Sequence, residues 1–470
     1  MGFWSGLLVL PPPAPGGATS PARGEGLPYV GLEWLPDLAD STLTGRARRA
    51  GLGAAATELP YRFTPAMATV TCAAAPTYVL RWHVGFYPTD LLEVLIGATI
   101  VVFVLETLRT GSAIVWRTPF TYPAALLLVA GLIAVAVSPD HRAGLGLYRA
   151  YLVEPILFFF VLTTVVRRAE TAHLVVGGLA LGGLVAGLAN SAVVLRAERA
   201  HTLNLAVAPP VVIYNTPNAV ALYLVPLIAV AAAVALHAGR PRLRLVAAGF
   251  VALAGLAVLL SFSRGGYAAL AVVAVGLALS HPRRWWLLGG LAAAALVLTR
   301  LPLVATRLAH ELNATDPNNS LVSRFKLWQA TLRMLRDHPV TGSGLSGFAR
   351  SIGPYRGGIY QEDLIYPHNV LLNLWTETGL LGLAAFAWLL VQAFRTGVRG
   401  WRRCAAEWRP LQLGVVLAMV AILVHGMVDV PYWKNDLSLE FWVLLGVAAA
   451  GILHGLAGGR GAEQPNRAVP

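Results

Sequence analysis

The chain has 470 residues, 56% of them hydrophobic and only 13% charged, with a mean hydropathy of +0.63. That balance leaves too little charge to cover a soluble protein of this size and excludes one. The net charge of +13 comes from 36 basic residues, all arginine except Lys326 and Lys434, set singly or in pairs between apolar runs, which points to membrane orientation and anionic lipid or phosphate partners rather than nucleic acid.

Residues 1–63, rich in Pro, Gly, Ala and Arg, read as an N-terminal tail without a defined structure. Its start, MGFWSGLLVL, is too short to span and lacks a basic leader, so it is not read as a signal peptide. Apolar runs of about 20 residues, the length that crosses a bilayer core, then recur about twelve times. They cover 64–80, 88–107, 119–138, 145–166, 172–195, 216–237, 243–261, 265–281, 285–301, 369–393, 409–428 and 437–457. The first is interrupted by Pro65, Thr71 and Pro76. A polytopic all-α bundle over 64–457 is the expected fold, with 458–470 as a short C-terminal tail. Cys72 lies in an apolar run and Cys404 in a basic loop, which predicts neither a disulfide framework nor a zinc site.

Arginine placement orients the bundle. Alternate loops carry Arg109 and Arg117; Arg167 and Arg168; Arg240, Arg242 and Arg244; Arg283 and Arg284; and Arg395 to Arg409. The opposite short loops, with Arg81, Arg142, Arg196, Arg199, Arg264 and Lys434, hold less than half as many. Positive charge favours the cytoplasm, so both termini are expected inside, and Arg264, the long segment 302–368 and Asp429 outside.

Chemistry-bearing residues gather on that expected outer face. In LLSFSRGGYAAL, Arg264 ends one run and opens the next, either as an arginine reaching for the interface or as a guanidinium held for an anionic headgroup. Thr216 and Pro217 in NTPNAVALY read as a helix start, with Asn218 adding a polar contact. Glu154 in EPILFFF is an acid within a span and has no assigned role. The segment 302–368 is the one long connection, and long ordered loops tend to be functional. Within it, Leu321, Phe325, Trp328, Leu332 and Leu335 form one stripe at helical spacing, with Lys326, Gln329, Arg333 and Arg336 on one flank. That pattern reads as an interfacial amphipathic helix, while Arg324 falls on the other flank and faces a separate partner. His338 reads as a turn residue, and GSGLSGF lacks the Gly-Lys-Ser/Thr of a phosphate-binding loop.

YPHNVLLNLWTETGLLG opens the tenth run with His368 and Asn369 at its mouth. Asn373, Thr376 and Glu377 lie within about 80° of Asn369 on a helical wheel, a stripe that must face protein or water rather than lipid. Interhelical hydrogen bonds account for Asn373 and Glu377, and close helix packing for Gly379 and Gly382. His368 reads either as an interfacial cap or as a general base, since imidazole accepts protons near neutral pH. Asp429, with His425 and Lys434 nearby, either orients this group or forms an ion pair. No metal-ligand motif occurs, so no metal or other cofactor is expected.

Taken in order, SFSRGG, the Arg324 segment, GSGLSGF, YPHN–LLNLWTETGLLG and HGMVDVPYW resemble the O-antigen ligase and polymerase superfamily of bacterial envelope glycan enzymes, over roughly residues 64–457. The resemblance implies a bundle related to C-type glycosyltransferases, a metal-independent inverting transfer on the outer face of the cytoplasmic membrane, and an undecaprenyl-diphosphate-linked glycan as donor to an acceptor sugar hydroxyl. It implies that Arg264 and Arg324 hold the diphosphate and His368 activates the acceptor, with Asn369, Glu377, Asn218 and Asp429 in support. A transporter or flippase of lipid-linked glycans is the competing reading. It predicts a mid-membrane site and internal repeats, whereas no repeat of fixed period is evident.

Overall fold

The computed structural model describes residues 60–85, 87–203, 209–300, 320–357 and 364–456. Of the expected tails, all but 60–63 of the first and all of 458–470 lie outside these residues, as do 302–319 and 358–363 of the long connection. The chain is a polytopic helical membrane protein: eight described helices are long and apolar enough to cross a bilayer, and three shorter apolar helices accompany them.

The helices follow one another along the chain. They are α1 Thr64–Ala73, α2 Leu91–Thr110, α3 Thr121–Val137, α4 His141–Val165, α5 Ala169–Arg199, α6 Pro217–His237, α7 Pro241–Leu260, α8 Arg264–Ser280, α9 Arg284–Arg300, α10 Ser320–Asp337, α11 Val370–Arg403, α12 Arg409–Gly426 and α13 Asn435–Gly455. Their starts are encoded locally. The Asp90 carboxylate accepts from Glu93 N at 2.9 Å, Ser263 Oγ from Gly266 N at 3.3 Å, and Asn369 Oδ1 from Leu371 N and Leu372 N. Thr216 occupies the cap position of α6 as expected, but its side chain makes no capping bond; Pro217 alone sets the first turn.

The first stretch of the bundle corrects two expectations. The run 64–80 yields a helix of only 10 residues, followed by a 3-10 turn at Ala75–Val79 with Pro76 near its start. At about 1.5 Å per residue, α1 covers half a bilayer core. The chain then forms a small antiparallel hairpin, β1 Arg81–Val84 with β2 Tyr87–Asp90, the one departure from all-α structure among the described residues.

At the core, α12 packs against α6, α8 and α11, and α13 against α4. A second, smaller core belongs to the long connection: Leu327, Ala330, Met334 and Leu335 of α10 enclose Phe348, Ile352 and Leu364. The expected stripe on α10 is therefore rotated. Leu321, Phe325 and Leu332 are exposed, whereas Leu327, Ala330, Thr331, Met334 and Leu335 face inward. Small Ala330 escaped the apolar count because its partners come from residues 348–364.

α11 is two helical pieces meeting at Gly379, whose φ of 67° and ψ of −175° interrupt the helix. Only glycine takes that conformation readily. The segment from Val340 into the GSGLSGF loop fills the break: Leu380 N donates to Val340 O at 2.9 Å, and Ser343 donates to Thr376 O through N at 2.7 Å and Oγ at 3.0 Å. Gly379 thus serves a helix break rather than close packing of an intact helix.

Candidate functional site

Asn218, His368, Asn369 and Asp429 come together where the starts of α6 and α11 reach the loop after α12. His368 precedes the cap of α11 with a left-handed φ of 51°, an uncommon backbone for a non-glycine residue. Its Nδ1 points to Asp429 Oδ1 at 3.6 Å, longer than a hydrogen bond but within ion-pair range of a protonated ring. Its side chain is 30% exposed while the Asp429 carboxylate is 5% exposed. Tyr366 flanks the imidazole edge-on, with ring centroids 4.8 Å apart.

Asp429 is the buried anchor. Asn218 Nδ2, in the first turn of α6, donates to Asp429 Oδ2 at 2.9 Å, and Val430 N donates to Oδ1 at 2.9 Å. Burial alone pushes its carboxyl up, but the neighbouring His368, His425 and Arg324 outweigh burial and hold it down at about 2. The Asp429 charge therefore persists at any physiological pH.

Arg324 is half-buried on α10 and within electrostatic reach of Asp429, His425 and Tyr366. Its helix is fixed to the His368 turn by Trp328, one turn on, whose Nε1 donates to Pro367 O at 3.0 Å. Arg264 is exposed at the first position of α8. The following Gly265 lies flat against His425: an added Cβ would stand 2.5 Å from His425 Cδ2. Ser263 Oγ lies 3.5 Å from His425 Nε2. His425 thus links the Arg264 turn to Asp429, four residues further along the chain.

The supporting residues divide. Asn369 caps α11 and donates from Nδ2 to Met427 O at 3.0 Å, tying the His368 turn to the Asp429 loop. Asn373 is fully buried with neither amide atom hydrogen-bonded, so it makes no interhelical bond. Glu377 accepts from Ser346 N at 2.6 Å, in the loop that fills the helix break. Glu377 therefore bonds to a loop rather than a helix, about two turns along α11 from Asn369. His338 is exposed in the turn that follows α10.

Sequence reasoning placed Trp328 only in an apolar stripe and missed Ser346 and the full part played by His425. A helical wheel shows Arg324 and Trp328 on one face, but nothing local announces that the indole binds a carbonyl 39 residues away. Glu154 pairs with Arg149, Nε to Oε1 at 3.5 Å, a partner the sequence did not reveal. Among the described residues no three or more His, Cys, Asp or Glu side chains converge as metal ligands.

The arrangement offers two cations, a carboxylate-backed imidazole and a glycine turn at one end of a membrane bundle. Among curated proteins none matches the chain. Residues 248–387 match the family model described as O-antigen ligase, a span that includes Arg264, Arg324, His368, Asn369 and Glu377 and stops before Asp429. That segment, about 30% of the chain, is what is similar to the O-antigen ligase family.

Proposed function

We propose that the chain transfers a glycan from an undecaprenyl-diphosphate-linked donor to an acceptor sugar hydroxyl, at the extracytoplasmic face of the cytoplasmic membrane. The observation that carries this reading is the pairing of His368 with buried, ionised Asp429 beside Arg324, within a segment of O-antigen ligase type.

Asp429 favours the tautomer with the proton on Nδ1, which leaves Nε2 of the partly exposed ring as the base. Nε2 takes the acceptor hydroxyl proton as that oxygen attacks the anomeric carbon. The bond from the anomeric carbon to the diphosphate oxygen breaks on the opposite face, inverting the centre, and its electron pair leaves with the diphosphate. Arg264 and Arg324 receive the charge that develops there; a preorganised donor in such a role contributes about 3 kcal/mol. The diphosphate is already an activated leaving group, so the reaction calls for neither a metal nor a nucleotide. Asn218 and Asn369 hold Asp429 and the His368 turn in place.

A flippase would use a broken helix to open a mid-membrane path. The break in α11 supports that reading poorly, because the chain's own Val340 and Ser343 occupy it. The test is purified protein in proteoliposomes with a lipid-linked glycan donor and acceptor. Glycosidic product from the wild type, lost in His368→Ala and Arg264→Lys, is the expected result. Donor flipping without bond formation, or full activity in both variants, would overturn it.

A further inference from the structure

A groove between α1 and α2 lies far from the residues of the proposed transfer. α2 has 20 residues and is about 30 Å long. Its start belongs to the transfer-site end of the bundle, because Asn435 Nδ2, just past the Asp429 loop, donates to Asp90 Oδ2 at 3.0 Å. Its last turn, with Glu106 and Arg109, is therefore at the other end, the one expected to face the cytoplasm. α1 runs back along α2 from there. Phe63 precedes α1 and cannot cap it, so Glu106 does: Oε1 accepts from Arg62 N at 2.9 Å and Phe63 N at 2.8 Å, and Oε2 from Thr64 N at 3.0 Å and Thr64 Oγ1 at 2.6 Å. Two turns deeper, Thr71 Oγ1 and Thr99 Oγ1 lie 2.8 Å apart.

Phe63, Ala66 and Met67 on one side and Val102, Leu105 and Arg109 on the other line a groove of about 380 Å³, with Glu106 in its wall. The spacings of three and four residues set each trio on one helical face, and the volume falls within the about 300–1,000 Å³ of ligand pockets. Phe63 and Leu105 are exposed, so the walls open towards hydrocarbon. The end of the groove is basic: Arg109 lines it, and the Arg62 guanidinium stands 5.5 Å over the Phe63 ring. Among the described residues neither arginine makes an ion pair. Glu106 is buried and turns both oxygens to the start of α1. Bare hydrocarbon in the groove would leave two guanidiniums without a counter-charge, and a small anion would leave the apolar walls unused. A phospholipid of net negative charge answers both, since the guanidinium fork matches phosphate oxygens and basic pockets between helices on the cytoplasmic side suit such headgroups.

We propose that the groove between α1 and α2 binds one anionic phospholipid of the cytoplasmic leaflet, its acyl chain against Met67, Val102 and Leu105 and its phosphate on Arg109 and Arg62. The site stands apart from the transfer reaction and holds whether or not that reading does.

The test replaces all five methionines of the full-length protein with a photoreactive analogue of nearly the same shape. The protein is placed in nanodiscs of equal phosphatidylglycerol and phosphatidylcholine with matched chains, and mass spectrometry reads the adducts at each position. Met67 reports the groove; exposed Met427, in the loop after α12, is the internal comparison. At Met67 the anionic lipid should be favoured by about fivefold or more, the factor that about 1 kcal/mol from a single arginine supplies. Arg62→Gln combined with Arg109→Gln should return that ratio to about one without moving the ratio at Met427. Arg117→Gln, exposed but outside the groove, should leave both ratios unchanged. Equal labelling of Met67 by the two lipids would overturn the site, as would a preference that survives loss of both arginines. A Met67 crosslink to residues 1–59 of the chain itself would overturn it too, by giving the groove a different occupant.

Discussion

Helices α6 and α7 are neighbours, both strongly apolar, yet α6 buries 83% of its most apolar stretch inside the protein and α7 only 22%. The difference shows in what each helix is free to carry. α6 opens with Asn218 on Asp429, and its equally buried counterpart α13 carries Asp436 and Glu440. After Arg244, α7 presents no charged side chain until its end, because a lipid-facing surface cannot satisfy one. Composition marks both as spans; only packing tells which can hold chemistry. Asn218 and Asp429 of the proposed site accordingly lie at the start of the well-buried α6 and on the loop between the well-buried α12 and α13.

The comparison breaks most visibly if the polar residues at those ends prove dispensable. Arg264→Lys and His368→Ala should each cut glycan transfer by about a hundredfold or more, measured as product per enzyme with a lipid-linked donor. Next in size is Gly379→Ala. Its φ of 67° and a Cβ 2.4 Å from Val340 O would force the helix break closed or push the loop out. A loss of about 2–4 kcal/mol in unfolding free energy is expected, read by thermal melts in detergent, and a wild-type melting temperature would show that the break is not needed.

Asn218→Ala frees Asp429 on one side and should lower kcat by about tenfold with little change in KM. The Asp429 carboxyl itself offers a pH test. With a native value of about 2, below its ordinary 3.8, its ionised form stabilises the fold fully above about pH 4 and loses that contribution as pH falls towards 2. The difference in unfolding free energy between wild type and Asp429→Asn should be flat from neutrality to about pH 4 and shrink below it. A difference independent of pH would mean that the charge is not what holds the site. The smallest effect belongs to α7: Leu245→Ala and Val246→Ala, at residues 75% and 71% exposed, should change stability by no more than about 0.5 kcal/mol.

Much of this was legible in the sequence, for a definable reason. Runs bounded by arginine mark spans because length and hydropathy are local properties; eight of the runs read that way have helices long and apolar enough to cross, and three more have shorter apolar helices. The polar stripe Asn369, Asn373, Thr376 and Glu377 was legible too, and all four are buried. What escaped was non-local. A glycine within a helical pattern gives no sign that a loop 36 residues earlier will occupy its break, so Gly379 and the Ser346–Glu377 bond could not be read. The rotation of α10 has the same origin, since its inner face is set by Phe348 and Ile352. Arg149 was passed over because a lone arginine near the start of the run 145–166 gives no local sign that Glu93 and Glu154 converge on it.

The central claim is that His368, backed by Asp429, takes the acceptor proton at the moment of transfer. A single-turnover experiment with donor prebound to purified protein and acceptor added in excess separates that step from binding. His368→Ala is predicted to hold the lipid-linked donor with wild-type affinity and to form the glycosidic bond at least a hundredfold more slowly. Bond formation by His368→Ala at the wild-type rate would contradict the account.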